Sequence, residues 1–176
     1  EASGVHEVGG TPHPSSAPTS GDVTEAVTAN FVGAPLMAQA VQLALSGIGS
    51  RVEQLDAVPV DRQHAVVTEL LAELRNLEHV AAEAASKATR APSVVMALSE
   101  VRRMYRTLML RAARGPQATR GQKLFAVRDR AQLTVVEAAN AVGVTPADVD
   151  AAEADQVLHP SVESAIEGLR QWLGGR

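Results

Sequence analysis

The chain has 176 residues, 45% of them apolar, and a formal charge of −4, enough for one ordinary domain or two small ones. Aromatic residues make up only 2%, so burial rests on Ala, Val and Leu, which suits close-packed helices and disfavours a sheet of aromatic cross-strand pairs. Cysteine is absent, which excludes disulfides and thiolate metal sites, and no apolar run approaches the ~20 residues that span a bilayer.

The first residue is Glu1 rather than Met, so the chain reads as a fragment or a processed product. Residues 1–22 hold Gly9-Gly10, Pro12, Pro14, Pro18 and many Ser and Thr, a composition that predicts a disordered tail. Its His6 and His13 are read as solvated bystanders, not metal ligands.

A helical bundle is expected over 23–114. Asp22 and Glu25 form a possible capping box for a short helix to about Val32, which Gly33-Ala34-Pro35 should break. Apolar residues at 36, 40, 43, 48, 52 and 55 then make a helical stripe to about Ala57, with Gly47 and Gly49 marking a kink or a close crossing. Gly47-Ile48-Gly49 lacks the preceding strand and the following Lys-Ser/Thr of a phosphate loop. The longest helix is predicted over 61–89, its inward face carrying Val66, Val67, Leu70, Leu71, Leu74, Leu77, Val80, Ala81 and Ala84. His64 and His79 have no carboxylate at ligand spacing and are placed at the surface or its boundary. Ala91-Pro92-Ser93 opens another helix over 93–113, with Val94, Val95, Leu98, Val101, Tyr105, Leu108 and Met109 inward, and Gly115-Pro116 stops it. None of these stripes can be buried alone, so three or four helices should pack together.

Charge is unevenly spread. Nine of the 16 basic residues lie between Arg102 and Arg130, where Asp129 is the one acid. Such a block serves an anionic partner or pairs within the chain.

Residues 115–121 read as a linker, and 122–176 as a second unit. Thr134 caps a helix with Glu137 reaching back, Ala139 is small enough for a close crossing, and Gly143 stands where a turn needs positive φ. Val144 plugs inward, and Thr145-Pro146 starts the next helix with a cap and a proline at its first position. His159-Pro160-Ser161 opens a last helix with Val162, Ile166, Leu169 and Leu173 inward.

On Leu124, Val127, Arg128, Leu133-Thr134, Glu137, Ala139, Gly143, Val144, Val149 and Glu153, residues 122–174 resemble the Cro/Xre-type helix-turn-helix family. The resemblance implies an all-α chain with an N-terminal helical bundle and a C-terminal Xre-like module, and a second module helix that is presented to DNA. It departs from the family at that helix. Val135 stands where the family often has Gln, and Pro146, Ala147 and Asp150 would face the major groove, with Asp148, Glu153 and Asp155 adding carboxylates. Phosphate binding relies on Lys and Arg, and base reading on Arg, Lys, Asn or Gln.

Two functions follow as expectations. One is a cytoplasmic, DNA-associated transcriptional regulator with an N-terminal dimerisation or sensing domain. Its weakly specific phosphate contacts would come from Arg120, Lys123, Arg128 and Arg130, joined by Thr134 and Thr145. The other is a protein-interaction module, an adaptor, chaperone-like factor or antitoxin-type binder. There Asp148, Asp150, Glu153 and Asp155 would meet a basic protein partner. No nucleophile elbow, His-Glu-x-x-His, P-loop or Gly-rich fingerprint is found, so no enzyme, cofactor or metal is expected. A homodimer through the 61–89 helix is compatible with either function.

Overall fold

A computed structural model describes residues 20–87 and 91–175, with side chains from residue 33 onward. Most of the expected tail, His6 and His13 lie outside these residues. The described chain is all helical: α1 (Ser20–Glu53), a 3-10 turn (Gln54–Ala57), α2 (Val60–Lys87), α3 (Pro92–Ala113), α4 (Arg120–Arg130), α5 (Val135–Val142), α6 (Pro146–Glu153) and α7 (Pro160–Gly174).

The expected break at Gly33-Ala34-Pro35 does not occur. α1 begins at Ser20, ahead of the Asp22 cap, and runs unbroken through Pro35. A proline inside a helix forfeits one hydrogen bond at roughly 3 kcal/mol. Here Ala34, Ala38 and Val41 pack into the bundle around it, while Pro35 itself is exposed, and that burial holds the helix in one piece. The expected stripe holds at Ile48, Val52 and Leu55 and is corrected before them: Ala38, Val41 and Leu45 face the core, whereas Leu36 is 67% and Leu43 77% exposed. Gly49 marks the close crossing: a Cβ there would sit 3.5 Å from the Met104 Cε of α3.

α3 is the centre of a three-helix bundle, touching α1, α2 and α4. Leu70, Leu71, Leu74 and Ala81 of α2 meet Val94, Ala97, Leu98, Val101, Leu108 and Met109 of α3. Val80 and Val95, expected inward, are exposed. Ion pairs tie the periphery: Arg51 to Glu69 and Glu73, Arg102 to Glu78, and Arg111 to Asp56.

The last four helices surround a second core of Leu124, Ala138, Ala139, Val149, Ala152, Ile166, Leu169 and Leu173. Their ends are fixed locally. Thr119–Gln122, Thr134–Glu137 and Thr145–Asp148 each form a reciprocal capping box. Gly143 closes α5 at φ 72° with nothing near its Cβ position, so backbone conformation alone asks for glycine there. Asp155 closes α6 at φ 55°, a left-handed position that Asp tolerates better than most residues. Gly121 answers a different demand. A Cβ on it would lie 2.5 Å from the Ala152 carbonyl and 2.8 Å from that of Glu153, so the end of α6 rests directly on the α4 backbone.

The two cores share α4. Leu124 belongs to the second, while its neighbour Phe125 enters the first and meets Tyr105 edge-on at 5.9 Å.

Candidate functional site

The Arg102–Arg130 block is largely satisfied inside the chain. Arg102, Arg106, Arg111, Arg120 and Arg128 pair with Glu78, Asp129, Asp56, Glu163 and Glu153 in turn. Arg103, Arg114, Lys123 and Arg130 are exposed and make no ion pair among the described residues.

Arg128 is the deepest of the paired cations, and the expectation that it clamps phosphate is corrected. Its Nε and Nη2 donate to the two Glu153 carboxylate oxygens at 2.6 and 2.9 Å, and Nη1 donates to the Leu133 carbonyl at 2.8 Å. The guanidinium also stacks 5.1 Å from the Phe125 ring centroid. Only 11% of the Arg128 side chain and 5% of Glu153 is exposed. Glu153 therefore does not face a partner either; its carboxyl is pushed above the ordinary carboxylate range by burial, with Arg128 working against that rise. Three of the five Arg128 N–H groups and both Glu153 oxygens are engaged inside the fold, and burial keeps the pair from an incoming ligand.

The threonines are engaged in the same way. The Thr134 hydroxyl accepts from the Glu137 N–H and donates to its carboxylate at 2.7 Å, and Thr145 does the same with Asp148. These bonds hold Glu137 and Asp148 below the usual carboxylate range. Asp155 accepts at 2.9 Å from the Gly121 N–H, capping α4 from 34 residues away. Of the ten expected contact residues, Asp150, Lys123 and Arg130 keep side chains without a hydrogen bond or ion pair among the described residues, and Arg120 is held only by an exposed pair with Glu163.

Two concavities border these residues. A groove of about 940 Å³ runs between α4, the α6–α7 connection and α7, with Arg120, Lys123, Val157 and Leu158 on its walls and Leu124 and Ile166 beneath. A cleft of about 480 Å³ separates the bundle from α5 and α6, with Arg75, Glu78, Arg102 and Tyr105 on one side and Val135 and Asp150 on the other. Burial in that cleft raises the Asp150 carboxyl, Arg128 opposing and Glu78 adding to the rise. The exposed edge of α6 thus turns partly toward the chain's own first helices. Among the described residues no three His, Asp or Glu side chains converge as a metal site, and no helix is long and apolar enough to cross a membrane.

Comparison with known proteins places the chain. A model of the MSMEG_6518_N N-terminal domain family matches residues 48–119. A protein of Mycolicibacterium smegmatis, described only as uncharacterized, is 45% identical over 106 residues, covering 60% of this chain and 82% of its own length. The chain belongs to this mycobacterial protein family. No solved structure matches it. The family's N-terminal domain covers the end of α1, α2 and α3 and stops at Thr119, the residue that caps α4.

Sequence reasoning left open that the Arg102–Arg130 block pairs within the chain, but did not single out the Arg128–Glu153 pair or the Asp155–Gly121 cap. Both join residues 25 or more positions apart. The one available signal was the coincidence of a family-typical arginine and acid within the same module.

Proposed function

We propose that this protein is a helical protein-interaction module whose last four helices keep the Cro/Xre helix-turn-helix shape without reading DNA. The observation that carries this reading is the engagement of Arg128, Thr134 and Thr145 inside the fold. What remains on the groove-facing edge of α6 is Pro146, Ala147 and Asp150, none of which donates to a base edge or attracts a phosphate. The carboxylates of Asp148, Asp150 and Asp155 give this edge a negative potential that fits a basic protein surface. A cytoplasmic setting and a role without catalysis go with this reading.

Titration of a labelled, arbitrary 20-base-pair duplex at about 50 mM salt tests it, because phosphate-driven affinity is largest there. No binding is the expected result. Sub-micromolar binding that weakens steeply with added salt would overturn the reading. Asp150→Lys reverses the one α6 carboxylate without a structural bond, and is expected to abolish capture of the basic partner while leaving the helical signal intact.

A second reading, a DNA-associated regulator, is favoured by the exposed and unpaired Arg103, Arg114, Lys123 and Arg130. Contacts would then be confined to phosphates. In that case the double variant Lys123→Ala/Arg130→Ala would flatten the salt dependence by about two charges.

A further inference from the structure

α1 carries a second apolar stripe that the three-helix bundle leaves bare. Its core side is Ala38, Val41, Leu45 and Ile48. On another side Gly33, Leu36, Ala40, Leu43 and Gly47 recur at alternating spacings of three and four, all of them exposed. No charged residue occurs anywhere in 33–50. A helix that is apolar on two sides is ordinarily covered on both.

The stripe is flanked by its own complement. Between the later part of α1 and α2 runs a groove of about 570 Å³, walled by Ala44, Gly47, Ile48, Leu77 and Val80. A Cβ at Gly47 would meet nothing within 4 Å, so the groove is open there. The protruding side chain that fits it, Leu36, stands at the other end of the same stripe and is 67% exposed. Ala40 lies midway: Leu36 precedes it by the interval at which Ala44 follows, and Gly33 by the interval at which Gly47 follows. Projection and recess are thus exchanged by a two-fold axis through Ala40, the self-complementarity that an isologous pair requires.

We propose that this face is a homodimer seam, in which a second copy lies antiparallel along α1 and each Leu36 enters the Ala44–Gly47 groove of the other. The small residues let the helices approach closely, and the antiparallel direction sets their dipoles favourably. A strip of 18 residues is about 27 Å long, and with the α2 shoulder about 20 Å wide. That is on the order of 500 Å² per copy and about 1,000 Å² for the pair, the lower bound for a specific interface. An interface of that size belongs to the weak, reversible class, so association is expected only at high protein concentration. It rests on the bundle alone and is independent of the function proposed for the C-terminal module.

The native chain has no cysteine, so single-cysteine variants of the full chain report the seam without background. Ala40→Cys is expected to cross-link to itself on oxidation, since paired Cα atoms within about 7 Å can be bridged. Gly33→Cys should cross-link to Gly47→Cys but not to itself. Sedimentation equilibrium should show a concentration-dependent monomer and dimer, with Leu36→Glu and Leu43→Glu each weakening association at least tenfold. Both side chains are exposed, so circular dichroism of the monomer should not change. A chain that stays monomeric at about 500 μM overturns the proposal. So does a dimer unaffected by Leu36→Glu, or self-cross-linking of Gly33→Cys.

Discussion

Replacing Arg128 by Met removes the cation from a bidentate pair whose acid is 95% shielded from water, as the 5% exposure of Glu153 implies. An ionised carboxylate left alone in such a site costs about 3–5 kcal/mol. The Leu133 carbonyl loses its donor as well, at about 1 kcal/mol, while the Met side chain recovers part of the packing on Phe125. The net loss is about 4 kcal/mol, or about 8–16 °C in Tm for a cooperative chain of this size. Replacing both partners, Arg128→Met with Glu153→Leu, removes the stranded charge and should return stability to within about 2 kcal/mol of the native chain. The pH dependence carries a sign. Without Arg128, the Glu153 carboxyl rises further above its unfolded value, so the penalty is absent when the acid is neutral in both states and grows as pH climbs through the folded value. Urea unfolding followed by circular dichroism should show a wide gap between single variant and native chain at about pH 8 and a narrow one at about pH 4. A single-variant loss below about 1 kcal/mol, a gap that widens in acid, or a double variant no better than the single would refute the reasoning.

Three glycines give two losses of different cause and one gain. Gly121→Ala drives a Cβ to 2.5 Å from the Ala152 carbonyl, so α6 must shift and thermal unfolding should show a loss of about 2–3 kcal/mol. Gly143→Ala meets no neighbour but sits at φ 72°, and the same melt should show about 1–2 kcal/mol lost. Gly168→Ala lies exposed within α7 with nothing near its Cβ position, and should raise stability by about 0.5–1 kcal/mol. At Glu167, the Arg170 guanidinium and the Gln171 amide hold the carboxyl down to about 2. Its contribution is present above the ordinary carboxylate range and lost as pH falls toward that value; a carboxyl-carbon NMR titration with a midpoint above about 4 would contradict this.

Local chemistry was legible in the sequence and tertiary chemistry was not. Thr134 with Glu137, Gly143, and Thr145 before Pro146 announce their helix ends because every partner lies within a few residues. α1 misled for the opposite reason. With no charge over 33–50, its apolar residues support two stripes equally well, and only packing against α2 and α3 selects Val41 and Leu45 over Leu36 and Leu43. The expected interruption at Pro35 gave way to the same burial. At the candidate site, the family pattern marks Arg128 and Glu153 as positions, but nothing in the sequence says that the two side chains meet. Their roles are created when α4 and α6 close over each other, which Gly121 permits.

Phe125 and Leu124 are neighbours on one helix yet plug two different hydrophobic interiors. α4 therefore works as a clutch plate: it cannot rotate or lift without unseating one plug or the other. Severing the short stretch between α3 and α4 would not release two self-sufficient pieces, because one would lose the ring beneath Tyr105 and the other would display a naked phenyl group. The two hydrophobic interiors are thus coupled through a single helix.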